Sequence, residues 1–453
     1  MTNPILEQYT KGEPNLEGTI NHLTKEQTEL LRKFWARILA EFEKGIDELH
    51  EPEPLVDGQE ASANANQDSD EEDDSSPATM TASAGAASSS PSPSPSQATS
   101  EKGSWSLFGF GKKKPSAASE QDPEYEQLVK DKVPKSHLPP PYFKQLQART
   151  IHDAFWDSVM SDNPDTLVLR FLRARKWNVD HAFDMIMKCL KWRLNERIDK
   201  IQWYGESRIN YRLICKGLGY VHGTDKIGQP VVYIPARLNN PKDQPLSHML
   251  RYTIYLIEAS RLMLEPPAEK ACLVFDMQDL SMANMDWPFF KAFLRMLTDY
   301  YPECLGVVVV YKANRIFHVL FKMISGLLDP VVASKIRFAN STEDLLAYID
   351  EDSLIAEFGG KDPYKFEYLP PREDEDKPMY DTDAILEARK RRSEAIEEYQ
   401  KVTREWANLD VTGEQLDKVS QERDAARNKV IEASRPYAAR VRAKTLYHRL
   451  DVV

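Results

Sequence analysis

From Leu246 to Phe338 the apolar positions switch repeatedly between two spacings, and the switching predicts an α/β fold. Leu246–Leu264 repeats at helical spacing, with Met249, Tyr252, Tyr255, Leu256 and Leu262 apolar. Ala271–Met277 is an apolar run of strand length, Trp287–Tyr300 a helix and Leu305–Tyr311 a second strand. Ile316–Leu327 follows as an apolar helix and Lys335–Phe338 as a short strand. Upstream, Leu218–Val221, the turn Thr224–Gly228 and Val231–Ile234 read as a hairpin. Strands and helices alternating at this spacing imply a mixed, largely parallel sheet with crossover helices.

Purely helical text flanks this core. Leu23–Phe42 carries Leu23, Leu30, Leu31, Phe34, Ile38 and Phe42 at helical spacing, and Thr24 followed by Gln27 suits a capping box. Thr166–Lys176 and Val179–Asn195 predict two helices, the second with Ala182, Ile186, Cys189, Leu190 and Leu194 on one face. After a Pro-rich, acidic boundary at Phe366–Asp383 come Ile385–Trp406 and Leu416–Ala433, separated by the turn Leu409–Gly413. Their stripes, Ile385, Ile396, Tyr399, Val402 and Trp406 against Leu416, Val419, Ala426 and Val430, predict an αα-hairpin packed on the domain. The final Arg435–Arg449 is basic.

Charge changes the picture in one place. Between Glu51 and Ser100 there are ten Asp or Glu and no Lys or Arg, among tracts of Ser, Ala and Pro. Such a stretch buries too little apolar surface to offset its ordering entropy, so it is expected to be disordered. Those ten charges make up most of the formal −12, which leaves the rest of the chain near neutral at −2. No wide basic face is forced, so nucleic acid is not an expected partner. Within the same region Ser104–Pro115 interrupts with Trp105, Leu107, Phe108 and Phe110 before three lysines. Two readings stay open for it: contact with an anionic membrane surface, or docking on its own domain or a partner.

The four cysteines, 189, 215, 272 and 304, form no Cys-x-x-Cys pair and lie in apolar stretches, as free thiols of a reducing compartment do. The start of the chain shows no signal-peptide pattern, and the longest apolar run, near Leu305–Tyr311, is far short of a bilayer span. A cytoplasmic protein with peripheral membrane association is expected.

No nucleophile elbow, dinucleotide fingerprint, zincin motif or metal-ligand spacing among the nine histidines is present. Asp276 and Glu303 have no nucleophile or metal cluster to join them. The expectation is a non-enzyme with no metal and no cofactor. More telling are LRFLRARKW at 169–177, YYPE at Tyr300–Glu303 and LDPVVASKI at Leu328–Ile336. Each mixes apolar residues with charges that are costly to bury unpaired. Gathered around one pocket, they would suit a ligand with an apolar body and an anionic head.

The order and wording of these segments resemble the CRAL-TRIO lipid-transfer family, closely over Asp165–Lys361 and more loosely at Leu23–Ile38. The wording at Val274–Trp287, Gly306–Phe317 and Asp329–Ile336 is similar to a fungal branch, the Csr-type phosphatidylinositol transfer proteins. The resemblance implies that Glu303 and Lys335 hold an inositol phosphate head, with Arg170, Arg173, Arg175 and Lys176 as further donors. It implies that the helix bearing Ile316, Phe317, Leu320, Phe321 and Ile324 gates the pocket, with Gly326 as a hinge; on pattern alone that helix is a core helix. In the founding yeast member hydroxyl side chains hold phosphocholine, where this chain has Ala271 and Leu273; Val332 stands where a threonine would be. Phosphatidylcholine is therefore doubtful as the second lipid. Asn314–Arg315 also departs from the common Pro-Trp.

The organisation expected is an N-terminal segment with a first helix (1–48), a disordered insertion (49–120), a helical lobe (121–205), a lipid-binding domain (206–368) and a helical extension (369–453). The function expected is exchange of phosphatidylinositol for a second lipid at a transient membrane surface, by a monomer. Two alternatives remain: presentation of lipid to a lipid kinase, and carriage of another apolar ligand such as a sterol-like molecule or neutral lipid.

Overall fold

The computed structural model describes residues 4–44, 146 and 148–453, apart from 265, 325, 327 and 329; at 4–6, 316, 319, 320, 323 and 324 it describes the backbone alone. The Ser104–Pro115 motif and the acidic insertion lie outside the described residues.

The helical part is built from α1 (Pro4–Lys11), α2 (Lys25–Phe42), α3 (Ile151–Val159), α4 (Pro164–Ala174), α5 (Val179–Asn195), α6 (Ile198–Tyr204) and α7 (Tyr211–Lys216). Helix α2 starts where the sequence signals it. Thr24 accepts from the Gln27 backbone N–H, and the Gln27 side chain accepts from the Thr24 N–H. Helix α4 ends two residues before the Lys176 limit expected, because Lys176 and Trp177 adopt φ of +49° and +64°. That break removes Arg175 and Lys176 from the helical turn that carries Arg170 and Arg173.

Five strands follow the order β1 (Tyr220–Thr224), β2 (Pro230–Pro235), β3 (Ala271–Asp276), β4 (Leu305–Tyr311) and β5 (Ile336–Ala339). The β1–β2 pair is antiparallel and the others are parallel. The crossovers are α8 (Leu246–Ser260), α9 (Trp287–Arg295) with a π-helical turn at Met296–Tyr300, and then α10 (Arg315–Ile324) with α11 (Pro330–Lys335). The α/β class and its mixed, mostly parallel sheet are therefore as the sequence implies. Lys335 closes α11 rather than opening β5.

Strand periodicity divides the sheet into two faces. Cys272, Val274, Val307 and Val309 pack with Leu345, Ile349 and Phe358 of the chain that follows β5, which opens with α12 (Thr342–Leu345). Leu273, Phe275, Val308 and Val310 face the other way. The pairing advances two residues on β3, Ala271 to Leu273, against three on β4, Leu305 to Val308. This extra residue keeps Leu305 and Val308 on one face although they are three apart.

At the C-terminus α13 (Thr382–Ala407) and α14 (Gly413–Val441) form the expected antiparallel hairpin, followed by α15 (Leu446–Arg449). Helix α14 runs past Ala433 and through Pro436, because Tyr437 and Val441 beyond the proline are buried against Ile385 and Ala388. One hydrophobic cluster joins Phe34 and Trp35 of α2, Phe155 of α3, Leu190 of α5, Leu273 of β3 and Tyr399 of α13. Of the cysteines, 189 and 272 are buried and 304 is half-buried. Cys215 is exposed, contrary to its apolar surroundings in sequence, because Leu213 and Ile214 take the buried face of α7.

Candidate functional site

Parallel pairing brings the amino ends of β3, β4 and β5 to one edge of the sheet. Lys270 directly precedes β3, Glu303 lies two residues before β4, and Lys335 directly precedes β5. Their side chains meet. Glu303 Oε2 lies 3.5 Å from Lys335 Nζ and 3.6 Å from Lys270 Nζ. Arg173 of α4 reaches the same edge, where it donates to Glu269 Oε2 at 2.5 Å and to the Gly18 carbonyl at 2.8 Å. Burial alone would raise the Glu303 carboxyl, but Lys335, Lys270 and Arg173 together bring it below its usual range. Lys270 is lowered, first by burial and then by Lys335 and Arg173, against the pull of Glu303. Glu303 also sits at φ +55°, a left-handed conformation that a non-glycine residue adopts at a cost.

The expected residues do not all converge here. Arg173, Glu303 and Lys335 share the cluster. Arg170 turns instead to the Cys304 thiol, 2.8 Å from its Nη1. Arg175 folds back on the Ala174 carbonyl, and Lys176 is exposed. Lys270 and Glu269 were not singled out from sequence. The signal available was their position, directly before an apolar strand destined for the same sheet edge as Glu303.

From Leu305 and Ile336, beside the cluster, an apolar pocket extends along the sheet, about 1180 Å³ measured out to solvent. Leu273, Phe275, Val308 and Val310 form its floor, while Phe289 and Phe293 of α9 form a wall. Of the positions where hydroxyls would fall, Leu273 and Val332 line it with methyl groups, and Ala271 is not among its lining residues. Polar side chains among the lining residues, Asn239, Asn284 and Asp286, sit near the carboxyl ends of β2 and β3 and are engaged in local hydrogen bonds.

Helix α10 closes one side of the pocket. Phe317 and Phe321 line it, with ring centroids 5.9 Å apart, and Phe321 meets Phe338 of β5 at 5.2 Å. The side chains of Ile316, Leu320 and Ile324 lie outside the described residues. Asn314 caps the helix, accepting from the Phe317 N–H at 3.0 Å and donating to the Leu280 carbonyl at 2.7 Å. This is a local reason for asparagine at the position where Pro-Trp is common. Among the described residues a Cβ added at Gly326 would meet nothing within 4 Å, so no described packing contact requires glycine there. Among the described residues no group of His, Cys, Asp and Glu is placed to hold a metal ion, and no helix is long and apolar enough to cross a membrane.

Comparison with known proteins places these features. Residues 215–360 match the CRAL/TRIO domain and residues 121–188 its N-terminal domain. A CRAL-TRIO domain-containing protein of Schizosaccharomyces pombe is 35% identical over 304 residues, 66% of this chain and 68% of its own. The phosphatidylinositol transfer protein CSR1 of Eremothecium gossypii is 36% identical, over 55% of this chain and 59% of its own. The SEC14 cytosolic factor of Yarrowia lipolytica is 32% identical, over 43% and 44% respectively. The match thus spans less than two thirds of the last two proteins.

Proposed function

Because this chain belongs to the CRAL-TRIO family, we propose that it binds phosphatidylinositol and transfers it between membranes as a cytosolic, peripherally associated carrier. One observation carries the reading: the Glu303, Lys335 and Lys270 cluster at the amino ends of the strands lies close in sequence to Leu305 and Ile336, which line the apolar pocket. Lys335 and Lys270 would meet the lipid phosphate as point charges, and Glu303 would accept hydrogen bonds from inositol hydroxyls. Arg173 would support them from α4. The acyl chains would lie along Leu273, Phe275 and Val308.

Exchange needs no chemical step. Each buried CH₂ is worth about 0.8 kcal/mol, so a diacyl lipid gains on the order of 20 kcal/mol from an apolar surrounding, whether bilayer or pocket. The two must nearly balance, and the α10 segment moves to let one lipid replace another. Specificity then falls to the charged cluster. Leu273 and Val332 favour a second ligand without a choline phosphate, since neither offers it a hydrogen bond. Presentation to a lipid kinase uses the same pocket, and a kinase-coupled assay separates it from transfer.

Mass spectrometry of lipid extracted from the purified chain tests the ligand. Phosphatidylinositol is expected in wild type and depleted in Glu303→Ala/Lys335→Ala. An unchanged lipid profile in the double variant would remove the cluster from the head-group role.

A further inference from the structure

A second cavity opens between α4, α5 and the Tyr300–Cys304 turn, about 520 Å³ measured out to solvent. Arg170, Arg193 and Arg261 line it, together with Ser158, Cys189 and Cys304. The charges around it do not balance. Glu258, 4% exposed, pairs with Arg193 at 2.7 Å, Arg261 at 3.1 Å and Arg442 at 3.9 Å. Within ion-pairing distance three guanidinium groups therefore share one carboxylate; Asp157, paired with Arg392 at 3.7 Å, acts on Arg442 and Arg193 from farther away. The Glu258 carboxyl lies far below its ordinary range: burial opposes ionisation, but Arg193 and Arg261 outweigh it. Arg442 is pushed down to about 10, mainly by burial, with Arg261 and Arg193 adding to it against Glu258.

Arg170 adds a fourth positive charge. It is 7% exposed, and among the described residues no carboxylate stands within ion-pairing distance of it. Its contact is the Cys304 sulfur at 2.8 Å, a weak hydrogen-bond acceptor for a buried guanidinium. Asp162 is also on the wall but beyond ion-pairing distance of Arg170. Positive charge buried in excess of carboxylate is costly unless an anion completes it.

We infer that this cavity is an oxyanion site that takes a phosphate group, distinct from the Glu303–Lys335 cluster. Guanidinium forks match phosphate oxygens, and three of them converge on one space. The phosphate is either free in solution or carried on the inositol ring of a phosphorylated lipid. The inference depends on the charge balance around Glu258 and Arg170, so it survives if phosphatidylinositol transfer fails.

Equilibrium dialysis of the full chain, stripped of lipid, against radiolabelled inorganic phosphate tests it, with glycerophosphoinositol 4-phosphate in a parallel arm. The expected result is one saturable phosphate site, weakened about tenfold or more by Arg261→Gln and unchanged by Lys335→Ala. A variant-free check accompanies it: phosphate should slow alkylation of Cys304, read by peptide mass spectrometry. Binding of the glycerophosphoinositol phosphate alone, sensitive to Arg261→Gln, keeps the site and assigns it a lipid-borne phosphate. Phosphate binding lost in Lys335→Ala but kept in Arg261→Gln overturns the proposal, because the anion then sits in the lipid cluster. Binding of neither probe, with no protection of Cys304, also overturns it and leaves a water-filled cavity.

Discussion

Two carboxylate–cation sites lie on α4 or across from it, and they are built in opposite ways. Asp165, in the first turn of α4, receives both arms of Arg423 at 2.8 and 2.7 Å and the Trp35 indole N–H at 2.6 Å. Arg423 also donates to Thr403 and lies 4.1 Å from the centroid of the Trp406 ring. Both partners are buried, and their hydrogen-bonding capacity is spent on the protein. Glu303, by contrast, meets Lys335 and Lys270 through one oxygen at 3.5 and 3.6 Å, and its Oε1 accepts no hydrogen bond among the described residues. The first arrangement is saturated and clamps the C-terminal hairpin to the helical lobe. The second leaves one carboxylate oxygen without a hydrogen bond, close in sequence to Leu305 and Ile336, which line the apolar pocket. Short bidentate geometry marks the Asp165–Arg423 pair; long, one-sided geometry marks the Glu303–Lys335 pair proposed to bind the head group.

The comparison breaks most directly at the clamp. Arg423→Leu should destabilise the fold by about 3–5 kcal/mol, since Asp165 is left buried and unpaired. A urea midpoint close to wild type would mean that the hairpin is only loosely attached. Lys335→Ala should do the reverse. Phosphatidylinositol affinity should fall about tenfold or more, the loss of a charge-assisted contact, while the urea midpoint stays put. If stability fell with affinity, Lys335 would belong with Asp165 among the structural pairs.

A smaller effect separates carboxylates by pH. Burial raises Asp225 to about 6, although its carboxylate accepts from Tyr9 at 2.6 Å and from the Ile227 and Gln229 N–H groups. Its folded form holds a proton more tightly than the unfolded chain, whose carboxyl titrates at about 3.9. That contribution to stability is complete below about 3.9 and is lost as pH rises through about 6. Glu303 has the opposite sign, because its folded value is lowered: its contribution is present above the unfolded value and lost as pH falls. Wild type should therefore gain stability relative to Asp225→Asn between pH 7 and pH 5. A difference between the two proteins that is flat with pH would contradict the assignment.

Much of this was legible in the sequence, for reasons that differ by element. Val179–Asn195 coincides with α5 because a capping Asn178 fixes its start and one apolar face sets its orientation. The positions of β2, β3 and β4 followed from apolar runs of the right length, whereas β1 lies about two residues beyond the Leu218–Val221 expected and β5 one residue beyond Lys335–Phe338. The Glu303–Lys335 meeting came from a resemblance, and local pattern alone does not contain it, since the two are 32 residues apart in sequence. Lys270 was missed because it becomes part of the cluster only through parallel pairing of β3 with β4. Arg175 and Lys176 were expected beside Arg170 on continuous helical spacing, which positive φ at Lys176 and Trp177 interrupts. The Arg423–Asp165 clamp was invisible for the same reason as Lys270: its partners are 258 residues apart, and a lone arginine on a charged helix reads as solvated.

The most direct test of the account is transfer of labelled phosphatidylinositol between vesicles, comparing wild type with Glu303→Ala/Lys335→Ala at matched folded concentration. The account predicts transfer by wild type and its loss in the double variant, with unchanged unfolding midpoints. Equal transfer by both proteins would contradict it and place the head group elsewhere on the chain.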